Sequence, residues 1–561
     1  MMFLPINQKD LKKLGINQLD IIFVTGDCYI DSPYCGVALL GKYLYKNGFT
    51  VGIVSQPRLD TDEDIMKLGT PRLFWGVTAG SVDSMVANYT PLRKKRKEDD
   101  FTPGGINNKR PDRATIAYVN LIKRYDRFKK PIIIGGIEAS LRRVAHYDYW
   151  DDKIRKSILF DSKADILVYG MGEITLLELT KRLANNEDFR DIRGICYIDK
   201  TPKEDFILLP SFDEVSSDKD RFIDMFNLFY ENNDPITAKG LCQKHIDRFL
   251  IHNPPQRILT QKELDEIYEL EFEHDIPPEL KKLGKVKALD TIKFSITINR
   301  GCYGECNFCA ITVHQGATVV SRSKRSIINE IKKISKLKNF DGIIRDIGGP
   351  TANMYEIECT KKLKSGKCKD KRCLFPNPCK SLKIDHSPLI SLLEEIRRVP
   401  SIKKAFVASG IRYDMVLNDK ENGGRYLEDL IVHHTSGQLK IAPEHIDPNL
   451  LRLMGKPPLS DLKRFIEDFY KICRKNRLKY FLTYYFIAAH PGCGTKEMEK
   501  LKNYISENIR IKPEQVQIFT PLPSTYSSVV YWTEKDPFTG EKVFVEKDLR
   551  KKKLQKEIIT V

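Results

Sequence analysis

Three cysteines, Cys302, Cys306 and Cys309, stand at C-x3-C-x2-C spacing in INRGCYGECNFCAI, directly after the apolar run KFSITIN. Three thiolates on one short loop can hold three corners of an iron–sulfur cubane, whereas a protein-only set needs four. One iron then stays open to another ligand, as catalytic zinc sites keep an open position. Tyr303 and Phe308 interleave the thiols and can shield a cluster, and Arg300 adds positive charge beside it. Two other readings use the same residues: a structural zinc with His314 as fourth ligand, and three unrelated buried thiols.

A second group, Cys359, Cys368, Cys373 and Cys379, has spacing C-x8-C-x4-C-x5-C. Four thiols within one short segment make a complete ligand set for tetrahedral zinc or for a second cluster. The Lys and Arg residues between them favour thiolates. The segment has little apolar content, so a metal would help to order it. Reduced structural cysteines are the alternative.

These groups sit in a chain of 561 residues, enough for three or four domains. An apolar fraction of 41% with 30% charged residues excludes wholesale disorder. The longest apolar runs fall short of a membrane span, and the first residues lack a secretion signal. The expectation is a soluble cytoplasmic protein with no membrane partner. A secreted disulfide scaffold is a poor reading of the 13 cysteines in such a chain. The net charge of +18 favours anionic partners, but the basic residues are spread out. The sharpest runs are Arg93–Lys97 and Arg550–Lys553. Solvated Lys-rich faces explain them better than a nucleic-acid surface, because no zinc finger, RRM or helix-turn-helix pattern accompanies them.

The elements that must position the thiols follow from apolar runs and breakers. Residues 1–199 predict an α/β domain with a doubly wound parallel sheet. Its strands lie at 19–24, 51–54, 72–77, 131–134, 166–168 and 195–198, with a helix from Gly36 to Asn47. Ligands of such sheets sit at the carboxyl ends of the strands. Here those ends carry TGDCYIDSPYCG, GVTAGS, GGIEAS and YGMGE, which offer Asp27, Asp31 and Glu138 either to a ligand or to a cap. The breaker-rich stretch 93–112 predicts a surface excursion. Residues 200–290 predict a helical connector.

Residues 291–540 predict six further strands, at 293–299, 342–345, 404–408, 438–441, 480–487 and 515–519. Helices begin between them near Ser326, Ser387, Arg425, Ser460 and Lys496. This alternation fits a partial (β/α)6 barrel with a Cys-rich insertion at 351–385. The tail 541–561 is charged and predicts a frayed helix. His433 and His434 fall at a helix end, where a surface role suits them. His445 and His490 fall at strand ends, where they can meet a ligand.

The cysteine loop resembles that of the radical S-adenosylmethionine (SAM) enzymes, whose signature has an aromatic before the third Cys, here Phe308. IRDIGGP resembles their Gly-Gly motif, which implies that Gly348 and Gly349 receive the SAM amino group. Pro350 replaces the usual acidic residue. SGIRYD offers Ser409 and Arg412 to the SAM carboxylate or ribose, and KIAPEH offers Glu444 and His445. Together TGDCYIDSPYCG, IGGIEASLRR, AHYDYWDD, DIGGPTANMY, SGIRYD, KIAPEH and AAHPG resemble the YgiQ family over residues 1–555. The resemblance implies a [4Fe-4S] cluster on Cys302, Cys306 and Cys309. It also implies reductive SAM cleavage to a 5′-deoxyadenosyl radical, fed by a donor such as flavodoxin or ferredoxin. The substrate stays unknown.

Residues 1–199 are also similar to the cobalamin-binding domain that precedes many radical SAM barrels. In the lower-ligand signature D-x-H-x-x-G, Asp31 and Gly36 match but Pro33 takes the His position, and proline cannot ligate cobalt. Either cobalamin binds there without a protein lower ligand, or the fold no longer binds it and serves as a docking or substrate-binding domain. Two other functions compete. QIFTPLPST resembles a stretch of tRNA methylthiotransferases, which suggests an RNA-modifying factor. A non-catalytic iron–sulfur carrier or redox sensor would need no SAM site.

Overall fold

The computed structural model describes residues 3–509 and 512–560. The chain divides into two compact units, one of Met1–Arg257 with Glu266–Lys293, the other of Ile258–Asp265 with Phe294–Val561.

The first unit is built on a nine-stranded sheet. Its β-branched runs Val51–Ser55, Ile21–Thr25, Phe74–Thr78, Ile132–Ile134 and Ile166–Val168 lie side by side in that order, all parallel. They are almost wholly buried, as a sheet covered on both faces requires. The strand Ile195–Asp199 joins antiparallel and ends the doubly wound part. The expected helical connector then departs from the prediction. Arg248–His252, Leu241–His245 and Ile207–Leu209 extend the same sheet as a hairpin and an edge strand. Helices Phe212–Ser217, Lys219–Glu231 and Gln261–Tyr268 are present as well.

In the second unit the six expected strands are present and pair in chain order, all parallel. Ser295–Thr297 pairs with Asp346–Gly348, and Ile343–Ile344 of the same strand pairs with Lys404–Ala405. A bridge joins Ile411 to Ile441, and Gln438–Glu444, Phe481–Ala488 and Gln515–Ile518 form the last ladder. The strands thus form three small sheets rather than one continuous barrel sheet. Amphipathic helices cover them. Leu459–Lys475, for example, buries Leu462, Phe465, Phe469 and Cys473 at helical spacing.

The tail is not frayed. Helix Leu549–Thr560 packs on the last strands and places Ile559 in the core. Its Lys552 is fully buried and donates to the Tyr531 hydroxyl at 2.7 Å. Gln555 receives the Ala489 N–H at 2.9 Å. Among the described residues, no helix is long and apolar enough to cross a membrane.

Candidate functional site

The first strand of the second unit delivers the cysteine loop. Gly301 opens it with φ +79°, where a Cβ would lie 2.1 Å from the Thr318 carbonyl oxygen, so only glycine makes this turn. Cys302 N–H then bonds to Gly316 O at 3.2 Å. The far end is held by Asn307. Its N–H and side-chain NH2 donate to Met454 O and Leu453 O, both at 2.9 Å. Its carbonyl accepts Ser527 N–H at 2.9 Å, and its Oδ1 accepts Arg372 at 2.7 Å.

The sulfurs have polar company. Cys302 Sγ accepts Gly304 N–H at 3.3 Å and lies 3.4 Å from Thr351 Oγ1. A guanidinium N–H of Arg412 points at Cys306 Sγ across 3.6 Å. Burial pushes the Cys302 thiol up, and it pushes the Cys309 thiol up to about 12, aided by the charges of Cys306, Cys302 and Glu444. Without a cation beside them, Cys302 and Cys309 would stay protonated near neutral pH. Among the described residues, no three His, Cys, Asp or Glu side chains are already drawn into a metal-holding arrangement.

Arg412 faces the thiols instead of standing free for a carboxylate. Asp414 grips it through two hydrogen bonds, at 2.8 and 2.6 Å. Burial works against the guanidinium charge, but Asp414 and Cys306 overcome it and hold its pKa up. Asn353 clamps the Arg412 backbone on both sides, at 2.8 and 3.0 Å. His386 reaches Asn353 at 3.2 Å and Asp419 at 2.8 Å. Asn353, His386 and Asp414 are missed by sequence reasoning. The Arg-x-Asp spacing at 412–414 is the one local signal.

The Gly-Gly motif is packed tightly. A Cβ at Gly348 would lie 2.3 Å from Ser409 Oγ, and one at Gly349 would lie 2.8 Å from Asn299. Ser409 is engaged with Asp346, which accepts both its hydroxyl and its N–H. Next to Gly349, Asn299 is fully buried, and neither atom of its amide has a partner. At the fourth strand end, Glu444 takes a positive φ of 68°. Burial raises its pKa against the pull of Lys456 and Arg412. His445 accepts Asp447 N–H at Nδ1, so Nε2 carries the proton, and that buried N–H has no acceptor. His490 is satisfied by Pro491 O and Ser527 Oγ, and its ring meets Phe308 edge-on at 6.4 Å. His434 departs from the surface role expected of it, being buried with Nδ1 on Ala405 O.

The second cysteine group is also brought together. Cys359, Cys368, Cys373 and Cys379 line one pocket with Glu305 of the first loop.

In the first unit, the carboxyl end of the sheet is filled by the chain itself. The predicted excursion is largely exposed, but it sends Arg110 inward, where it is fully buried and pairs with Asp27 at 2.7 Å and Asp99 at 3.1 Å. It also donates to Ala79 O at 2.7 Å. Gln56 bridges Gly26 O and Thr102. Asp31 is buried against Tyr29, Lys42 and Glu273 N–H. Glu138 accepts the N–H groups of Ser84 and Thr115, capping two other helices. These three carboxylates are committed within the protein.

The Radical SAM N-terminal family model matches residues 3–295. A UPF0313 protein of Fusobacterium nucleatum is 55% identical over 100% of this chain and 99% of its own. One of Thermotoga neapolitana is 48% identical over 99% and 98%. Among solved structures, TsrM from Kitasatospora setae, a radical SAM methyltransferase with cobalamin and a [4Fe-4S] cluster bound, shares the fold. Its TM-score is 0.52 at 14% identity, over 91% of this chain and 74% of that one. The cysteine loop, the α/β unit ahead of it and these full-length relatives make the chain a radical SAM enzyme of the UPF0313, or YgiQ, family.

Proposed function

We propose that the protein binds a [4Fe-4S] cluster through Cys302, Cys306 and Cys309 and cleaves SAM reductively to act on a substrate of unassigned class. The observation that carries this reading is the trio of thiols on one glycine-opened loop with the Arg412 guanidinium aimed at Cys306. The donor set suits iron, because three thiolates leave one metal position open. When bound, such a cluster supplies the electron that splits the SAM sulfonium, releasing a radical that takes a hydrogen from substrate.

The chain's own residues have separable tasks. Arg412 offsets the charge that gathers on three thiolates, and Gly304 N–H and Thr351 hydrogen-bond Cys302, which tunes a sulfur-held centre. Phe308 and His490 close one side against water. The unpaired His445 Nε2–H and the Asn299 amide are the polar groups free to orient SAM, with the Gly348 and Gly349 backbone and Glu444 beside them. Ser409 would reach a ligand only by releasing Asp346. A one-electron donor of the flavodoxin or ferredoxin class, in the cytoplasm, completes the reading.

Cobalamin does not fit this chain's first unit. The strand-end crevice holds Arg110, Asp27 and Asp99 in place of a ligand, and Pro33 offers no nitrogen to cobalt. The RNA-directed reading has only the two basic runs to draw on. They are exposed apart from the buried Lys552, but Arg93 donates to Tyr149 O and stacks on that ring, and Arg96 bonds Val86 O.

The test is SAM cleavage by anaerobically reconstituted protein with dithionite, read as 5′-deoxyadenosine. Release is expected from the wild type and absent from Cys306→Ala. Cleavage that persists in the variant would sink the assignment.

A further inference from the structure

We propose that Cys359, Cys368, Cys373 and Cys379 form a second, four-thiolate metal site that braces the back of the Cys302–Cys309 loop. Four thiols saturate a tetrahedral ion or a cubane, so this centre would have no open position and no direct part in SAM chemistry.

Three observations converge on the site. The four thiols come from one insertion and line one pocket, while the other cysteines outside the first loop are buried in the fold. The pocket is rich in cations. Lys362 Nζ lies 3.8 Å from Cys373 Sγ, and Lys367 and Lys371 line the wall. Four thiolates on Zn²⁺ or on an iron–sulfur cubane would carry a net negative charge, which these side chains offset. The insertion also carries little regular structure of its own. Its one α-helix is the six-residue Thr360–Ser365, its mouth closes by a single Glu358–Lys383 bridge, and Met354, Ile357, Leu374, Leu382 and Ile384 give it a small apolar base. Metal binding would release the thiol protons and order the segment in the same step.

The site is built against the catalytic loop. Tyr303 and Cys302 pack in one apolar cluster with Cys359, Cys373 and Cys379. Glu305, buried at φ 43°, is held between Lys362 at 3.7 Å and Lys367 at 3.4 Å, and Arg372 donates to its carbonyl at 3.0 Å. A metal that fixes the insertion therefore fixes the turn between Cys302 and Cys306.

The experiment measures iron, sulfide and zinc on full-length protein purified without oxygen, in a Cys302→Ala/Cys306→Ala/Cys309→Ala background. One zinc per chain, or iron with labile sulfide, is expected to remain and to disappear when Cys373→Ser and Cys379→Ser are added. Zinc assigns a structural ion and iron with sulfide assigns a second cluster. A metal-free triple variant overturns the proposal, as does metal content indifferent to Cys373 and Cys379. Because the variants could misfold, the wild-type holoprotein is also alkylated with iodoacetamide before and after chelation and mapped by mass spectrometry. Protection of these four thiols until chelation supports the site, and labelling of all four beforehand overturns it.

Discussion

Arg412 and Cys306 face each other across 3.6 Å, with Asp414 holding the guanidinium from behind. A fixed positive charge this close to a sulfur that would ligate the proposed cluster favours the reduced state, which carries the extra electron. Neutralising the pair together, as Arg412→Gln/Asp414→Asn, avoids leaving one charge buried and unpaired. The midpoint potential, read by EPR-monitored titration, is expected to fall by on the order of 60 mV, a tenfold change for one electron. A potential unmoved by the double variant would remove Arg412 from this role.

His445 presents a buried N–H with no acceptor, and burial lowers its pKa to about 4, so it is neutral at pH 7. His445→Ala is expected to weaken SAM binding about tenfold, the worth of one hydrogen bond to a charged group. Calorimetry on the reconstituted protein checks this. The pH dependence of the affinity between about pH 6 and about pH 8 should be the same in wild type and His445→Ala, since His445 does not titrate there.

Acid should loosen both units. His146 and His245 have pKa values lowered to about 3, His274 to about 4, and His252 lies well below its usual value, all chiefly by burial. In the second unit His434 and His490 fall to about 4 and about 3 for the same reason. The unfolded chain takes protons near pH 6.5 that the folded chain refuses, so stability is lost as pH falls from about 6.5 towards about 4. Each histidine contributes on the order of a few kcal/mol at the acid end. Thermal unfolding followed from pH 7.5 down to about 4.5 should show a steep fall in Tm, and a flat profile would contradict the buried neutral histidines.

Incubation with hydroxocobalamin is expected to leave no cobalt on the protein after desalting, and Pro33→His should not change that result. A stoichiometric cobalt complex would mean that Arg110 and its carboxylates leave the crevice.

Removing residues 549–561 should destabilise the second unit by several kcal/mol, because Ile559 leaves its core and the Ala489 N–H and Cys493 carbonyl lose Gln555. Limited proteolysis of the truncated chain should cut within residues 481–540. Resistance equal to wild type would restore the frayed reading.

The parallel strands were legible because Val, Ile and Phe crowd into short runs between breakers, as in IIFVT and FWGVT. LCQKH and RFLIH were not, since polar residues interrupt them and their pairing is a hairpin at the sheet's far side. The tail misled because Lys552 and Gln555 read as surface residues, yet each finds a buried partner. In the site, the cysteine spacing was enough to find the loop. What holds Arg412 was legible only in Asp414, two residues away, because Asn353 and His386 come from segments that only the fold brings to it. The excursion 93–112 read as surface from its glycines and prolines, whereas Arg110 within it closes the crevice.

The four tethers of Asn307 have a bearing on biogenesis. Arg372, Leu453, Met454 and Ser527 lie ever further along the chain, and Ser527 emerges from the ribosome last. Until then the cysteine loop lacks its final anchor. Iron delivered early would meet a loop not yet held in place, so a cluster on these cysteines would be inserted after the strand Gln515–Ile518 has joined its neighbours.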